Sequence, residues 1–294
     1  MLRCRFASGL IALLLLANTA HELIAPRAAA AAAAPAPKPI LVGAWVKPRQ
    51  PGPATVADLE KAIGRHLDYA LHYQPLTGAF PDAAELDDKA NHRVPMVSLG
   101  CGMVPDVASG AYDADIAKLA ASMAAYGKPI ELRYCWEMNG GYRHIDAGDF
   151  VPAWRHLHDL FAHAGVKNVR WFFCPGAEFG RTGRSGLAYY PGDAYVNDIG
   201  VDMYDRRGEG FQQMFDTVYH AFDGIAKPFI IGETGALGTQ DQPTFLTPNT
   251  VSLLRSAYPK VVAVVYFDAA GPHGDWSFTP EGLAAFAAFA KAAH

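Results

Sequence analysis

Cysteine is scarce in this chain: four among 294 residues, with no CxxC pair. A structural zinc site of the ribbon or finger type therefore has no framework. Positive charge is short as well. Lys and Arg number 25 against 29 Asp and Glu, a formal net charge of −4. That supplies no basic surface for nucleic acid or for an anionic membrane. After the N-terminal segment, no stretch reaches the roughly 18 uninterrupted apolar residues of a membrane helix. No GxGxxG follows the first predicted strand and no HxH pair ends it, which leaves out a dinucleotide fingerprint and a familiar barrel metal pair. His144 and Asp146 form an HxD pair, but in a loop. His156, His158 and His163 read as helix-face residues. No metal and no cofactor is expected.

What is present starts with an N-terminal targeting pattern. Arg3 and Arg5 precede an apolar run from Leu10 to Ala17, too short to span a bilayer. Small residues suited to cleavage follow near Ala20 and within Ala28 to Ala34. Residues 1–34 read as a signal peptide and Ala-rich segment and 35–39 as a linker, with an uncleaved anchor as the alternative. The expected product is soluble and secreted or periplasmic. Cleavage removes Cys4 and leaves Cys101, Cys135 and Cys174. Three cysteines permit one disulfide or three thiols, and buried free thiols are the expectation, because neighbouring strands alone do not guarantee suitable Cβ directions.

From residue 40 on, eight apolar runs alternate with helical patterns. The strands are expected at 40–46, 69–74, 94–100, 129–136, 169–174, 199–204, 228–233 and 261–267. Several are nearly continuous hydrophobic runs, as strands buried on both faces are. Helices are expected at 55–66, 82–90, 113–126, 149–164, 209–225, 243–257 and 280–292, with a short turn of helix near 193–197. Half of the residues are hydrophobic, enough for one large core. Eight strands alternating with helices in about 250 residues predict an α/β fold, a single (β/α)8 TIM barrel over 40–294.

Barrel active sites lie at the C-terminal ends of the strands. Two carboxylates stand where apolar runs stop: Glu137 after the fourth strand and Glu233 at the end of the seventh. Hydrolysis of a glycosidic bond with retention needs such a pair, about 5–5.5 Å apart, one protonated and one ionised. By position alone, each reads equally well as an ion-paired loop residue.

Four motifs in order add to this reading: WEMNG at 136–140, YYPGDAYVNDIGVDMYD at 189–205, KPFIIGETG at 227–235 and YFD…DW across 266–276. From about residue 40 to the C-terminus the chain resembles glycoside hydrolase family 26, the β-mannanases and related endo-β-glycanases. The resemblance implies a retaining barrel enzyme with Glu137 as acid/base and Glu233 as nucleophile. It implies that Arg133 helps keep the nucleophile ionised and that the Tyr204 hydroxyl orients it. Asn139 is open between a sugar hydroxyl and the turn backbone. Trp136 departs from the mannanase-type pattern, where His commonly precedes the acid/base, so an indole with one donor replaces an imidazole. GYRHID follows where a Trp-rich stretch is usual, which gives Tyr142 and His144 to sugar contacts. Strand five ends in CPG where Asn is frequent. Trp45, Tyr73, Phe267 and Trp276 suit stacking against a pyranose, and each also suits a core.

The expected activity is exported hydrolysis of a β-linked polysaccharide by a monomer, with mannan, mixed-linkage glucan and β-1,3-xylan all open. A hydrolase acting on the producing cell's own exopolysaccharide and a barrel that binds carbohydrate without cleaving it are the alternatives.

Overall fold

The computed structural model describes residues 38–48, 52–140, 143–177, 186–271 and 274–294. The expected signal peptide, residues 35–37 of the expected linker, Cys4 and Tyr142 lie outside the described residues. Eight parallel strands close into a barrel in chain order: β1 (Leu41–Val46), β2 (Tyr69–Gln74), β3 (Val94–Leu99), β4 (Ile130–Tyr134), β5 (Val169–Phe173), β6 (Asp198–Asp205), β7 (Phe229–Ala236) and β8 (Val261–Asp268). The ring is shut by β1 against β8, in register from Leu41 opposite Ala263 to Val46 opposite Asp268. The (β/α)8 expectation holds, and each strand lies where its apolar run was read.

Helices pack outside: α1 (Val56–Ile63), α2 (Ala83–Ala90), α3 (Val104–Ser109), α4 (Asp113–Tyr126), α5 (Ala147–His163), α6 (Phe211–His220), α7 (Gly238–Phe245), α8 (Pro248–Ala257) and α9 (Pro280–Ala292). Their starts follow side-chain chemistry. Thr55 caps α1 through Asp58, Asp82 and Glu85 form a capping box on α2, and Thr279 caps α9. Two readings change. The helix expected over 243–257 is two helices, because Thr247 and Pro248 restart the chain with a capping box of their own. Helix α3 was not anticipated; its six residues are too short for a periodicity signal.

The barrel interior is layered. Leu71, Met96, Phe172, Ile230 and Val265 form its apolar middle. Alternation along the strands puts Tyr73, Arg133, Cys174 and Asp202 nearer the C-terminal end, and Tyr69, Glu131, Arg170 and Asp198 nearer the N-terminal end. Outside the barrel, Trp154, Phe150, Phe161 and Phe215 are fully buried between strands and helices.

The cysteine expectation is overturned. Cys101 and Cys135 form a disulfide with Cα atoms 4.4 Å apart, and Cys174 is a buried free thiol. The pairing of β3 with β4 brings Leu99 opposite Tyr134, and Cys135 continues it by donating its N–H to Leu99 O at 2.8 Å. Cys135 then turns left-handed, at φ 52°, and the two chains leave the sheet side by side.

Candidate active site

Glu233 lies within β7 with 4% of its surface exposed. Three donors converge on its carboxylate. Tyr73 Oη, from β2, donates to Oε1 at 2.7 Å. Arg133 Nη2, from β4, donates to the same oxygen. Tyr204 Oη, from β6, donates to Oε2 at 2.5 Å. Arg133 and Tyr204 hold the places that the family resemblance implies, whereas Tyr73 reads in the sequence only as a stacking surface. The residue-two spacing of Leu71 and Tyr73 puts both inside the barrel; the hydroxyl's target, 160 positions away, is a product of barrel closure.

Arg133 is itself fully buried, and each of its three nitrogens donates. Nε donates to Ser98 Oγ at 2.7 Å, and Nη1 to Asp202 Oδ1 and Oδ2 at 2.7 and 2.9 Å. The Cys174 thiol donates to Asp202 Oδ1 at 3.0 Å. Gly232 makes room for this cluster. A Cβ there would lie 2.7 Å from Asp202 Oδ1 and 2.8 Å from Cys174 Sγ. Burial works against the Arg133 charge, but Asp202 and then Glu233 hold its proton on more firmly than usual. Burial, followed by the Glu233 charge, pushes both the Tyr73 and Tyr204 hydroxyls well above the ordinary tyrosine range. They therefore stay protonated and donate at any working pH. The Asp202 carboxyl is pushed up by burial, pulled down by Arg133, and pushed up again by the charges of Glu233 and Glu137. Both glutamates thus act on one buried group from the same end of the barrel.

Glu137 follows β4 on a turn and is half-buried. Its φ is 52° and its N–H donates to Cys174 O at 2.8 Å. Asn139 fixes the turn from below. It accepts from Gly176 N at 2.8 Å and donates to Gly176 O at 3.0 Å, fully buried. Its amide serves the backbone, which corrects its place among the substrate-binding residues.

An aromatic arc connects the two glutamates. Trp136 lies 5.0 Å from Tyr73, Tyr73 5.3 Å from Trp45, and Trp45 stacks on Phe267 at 4.6 Å. Tyr204 meets Phe267 at 5.8 Å and Trp276 at 4.6 Å. Trp45, Trp136 and Phe267 are half-buried and present ring surface, whereas Trp276 is 3% exposed and backs Tyr204. His144 and Asp146 line a cavity of about 490 Å³ between the β3–α3 turn and the segment after β4. Among the described residues no group of three His, Cys, Asp or Glu could hold a metal ion.

Proteins similar to this chain in sequence or in fold include hydrolases of glycans. The sequence model of glycosyl hydrolase family 26 matches residues 111–270. Endoglucanase H of Acetivibrio thermocellus is 30% identical over 268 residues, 83% of this chain and 30% of that protein. Beta-1,3-xylanase TXYA of a Vibrio species is 27% identical over 35% of this chain and 23% of its own length. The chain spans less than a third of the length of these curated relatives. Among solved structures, the GH26 beta-mannanase BoMan26A of Bacteroides ovatus superposes with a TM-score of 0.61 at 18% identity, covering 87% of this chain and 89% of that one. Barrel and sequence together define a β/α-barrel glycoside hydrolase. More particularly, the chain belongs to glycosyl hydrolase family 26.

Proposed function

We propose that the chain is a retaining endo-β-glycanase with Glu233 as nucleophile and Glu137 as acid/base. The observation that carries the assignment is the three-donor clamp on Glu233. An ionised, immobile carboxylate is what a nucleophile requires, and Arg133, Tyr73 and Tyr204 supply both properties. Glu137 has a different setting, on a turn at the strand end and less enclosed, where it can take and return a proton.

In the first step the Glu137 proton passes to the glycosidic oxygen as the bond to the anomeric carbon breaks. Glu233 attacks that carbon from the opposite face and forms a glycosyl ester. The leaving chain departs as an alcohol. In the second step Glu137, now ionised, takes a proton from water. The resulting hydroxide displaces Glu233, and the anomeric configuration is restored. Tyr73 and Arg133 share one nucleophile oxygen and Tyr204 holds the other. Oε2, with a single donor, keeps a lone pair for the anomeric carbon while Oε1 retains its two donors.

A β-glucan is the substrate class best supported. Endoglucanase H covers most of this chain at 30% identity, while the mannanase structures resemble it in fold only. Trp136 in place of a histidine offers an apolar wall where the mannanase-type pattern offers an imidazole. An extracellular or periplasmic location is supported by the N-terminal pattern and by the Cys101–Cys135 disulfide, which suits an oxidising compartment. A monomer acting on polysaccharide is the working form. The test is a reducing-end assay on mixed-linkage β-glucan, β-mannan and β-1,3-xylan. Product from β-glucan above the other two is expected. Binding without product from any of them would instead support a non-catalytic carbohydrate-binding barrel.

A further inference from the structure

The segment that carries Glu137 is held unlike the rest of the barrel rim. Cys135 and Glu137, on either side of Trp136, both adopt a left-handed backbone at φ 52°. Side chains disfavour this conformation, and it persists only where the surroundings over-determine it. Toward β5 packing does so, through Glu137 N–H on Cys174 O and the paired bonds between Asn139 and Gly176. Toward β3, beside the buried Leu99, Val104 and Val107, a cavity of about 490 Å³ lined by Cys101, Met103, Arg143, His144, Asp146 and Asp149 opens next to the turn.

On that open side the tether is covalent. The Cys101–Cys135 disulfide joins the end of β3 to the residue two before Glu137. Arg143 completes the hold. Its guanidinium lies 4.6 Å over the Trp136 ring, and Nη1 donates to Cys101 Sγ at 3.4 Å. Trp136 is thus fixed between Arg143 and the Tyr73 ring.

We infer that the disulfide and the Arg143–Trp136 stack are positioning elements for the acid/base, keeping the strained turn in the one conformation that brings Glu137 to the glycosidic oxygen. This rests on Glu137 being the acid/base. A bridge that served stability alone would affect both half-reactions equally. A bridge that positions Glu137 affects the steps in which Glu137 moves a proton. It spares the attack by Glu233, whose donors Tyr73, Arg133 and Tyr204 stand on the regular strand backbone of β2, β4 and β6, before the left-handed turn begins at Cys135.

The experiment compares Cys101→Ser/Cys135→Ser, Arg143→Ala and Glu137→Ala with the unaltered full chain, each first checked for folding by melting curve. Two substrates are used: the polysaccharide cleaved best in the screen, with a poor leaving group, and the 2,4-dinitrophenyl glycoside of its disaccharide, with a good one. Loss of proton-transfer geometry should lower polysaccharide kcat by about tenfold or more in the serine variant, while the burst of dinitrophenolate changes by less than about threefold. Azide should raise steady turnover of the aryl glycoside. Arg143→Ala should show the same split, more weakly, with the disulfide intact. Equal losses on both substrates, or no loss, with Glu137→Ala still showing the split, overturn the positioning role alone. If the serine variant does not fold, a missing split in Arg143→Ala overturns it. If Glu137→Ala itself shows no split, the acid/base assignment falls and this inference with it.

Discussion

The two ends of the barrel interior solve the same problem in opposite ways. Each end sets an arginine against two buried carboxylates, Arg133 fully buried and Arg170 half-exposed. At the C-terminal end Arg133 meets Asp202 and Glu233, Ser98 Oγ accepts its Nε–H, and Cys174, Tyr73 and Tyr204 donate to the two carboxylates. At the N-terminal end Arg170 bonds Asp198 at 2.9 and 2.6 Å and comes no nearer than 3.6 Å to Glu131. Glu131 is fully buried, and no donor serves either of its oxygens. Burial, then the Asp198 charge, pushes its carboxyl well above the usual range, with Arg170 pulling the other way. A proton on Glu131 itself then supplies the O–H that Asp198 accepts. The two glutamates differ in the donors around them. Three donors converge on Glu233, whereas Glu131 has none and is pushed toward its neutral form by burial.

The comparison breaks most completely at Arg133. Arg133→Met strands two buried carboxylates without their cation, which should cost about 3–5 kcal/mol of stability as well as activity. A melting curve checks it; an unchanged melting temperature contradicts the shared-clamp account. Tyr73→Phe should come next. It removes one donor from a carboxylate, a hydrogen bond to charge worth roughly 1.5–3 kcal/mol, so kcat should fall by about ten- to a hundredfold with little change in KM. Tyr204→Phe should behave alike, and a KM effect without a kcat effect would make either hydroxyl a sugar contact instead.

Glu131→Gln sharpens the contrast with the smallest effect. The folded state holds the Glu131 proton more tightly than the unfolded chain does. Between the unfolded value near 4.5 and the raised folded one, the native state binds more protons, so stability falls as pH rises. The glutamine variant should flatten that slope over the same window and leave kcat unchanged. Urea melts at pH 5, 7 and 9 give the slope; an unaltered pH dependence shows that Glu131 does not carry the proton.

The layers also mark what could be seen in the sequence. The strands were legible because burial on both faces writes continuous apolar runs, as in VVAVVYF of β8. Glu137 and Glu233 were legible because each stops such a run, and motif resemblance supplied Arg133 and Tyr204. The partners were less visible. Asp202 lies two residues from Tyr204 on the same inward face, but its pairing with Arg133 spans 69 positions. The Tyr73 hydroxyl reads as one more aromatic until the barrel closes. The disulfide depends on the left-handed turn at Cys135, which strand patterning does not encode, and Asn139 was undecided between sugar and backbone until Gly176 was placed beside it. The Glu131–Asp198–Arg170 cluster went unread because its members stand on three separate strands.

The central claim is that Glu233 attacks and Glu137 moves the proton, and the stereochemistry of azide rescue tests it most directly. Azide needs no general base. With Glu137→Ala and an activated aryl glycoside, Glu233 still forms the glycosyl ester, and azide should displace it to give the β-glycosyl azide. With Glu233→Ala no ester forms, and azide should attack the substrate from the vacated face to give the α-product. Anomers assigned the other way round would reverse the two roles, and unaltered polysaccharide cleavage by both variants would place the active site elsewhere.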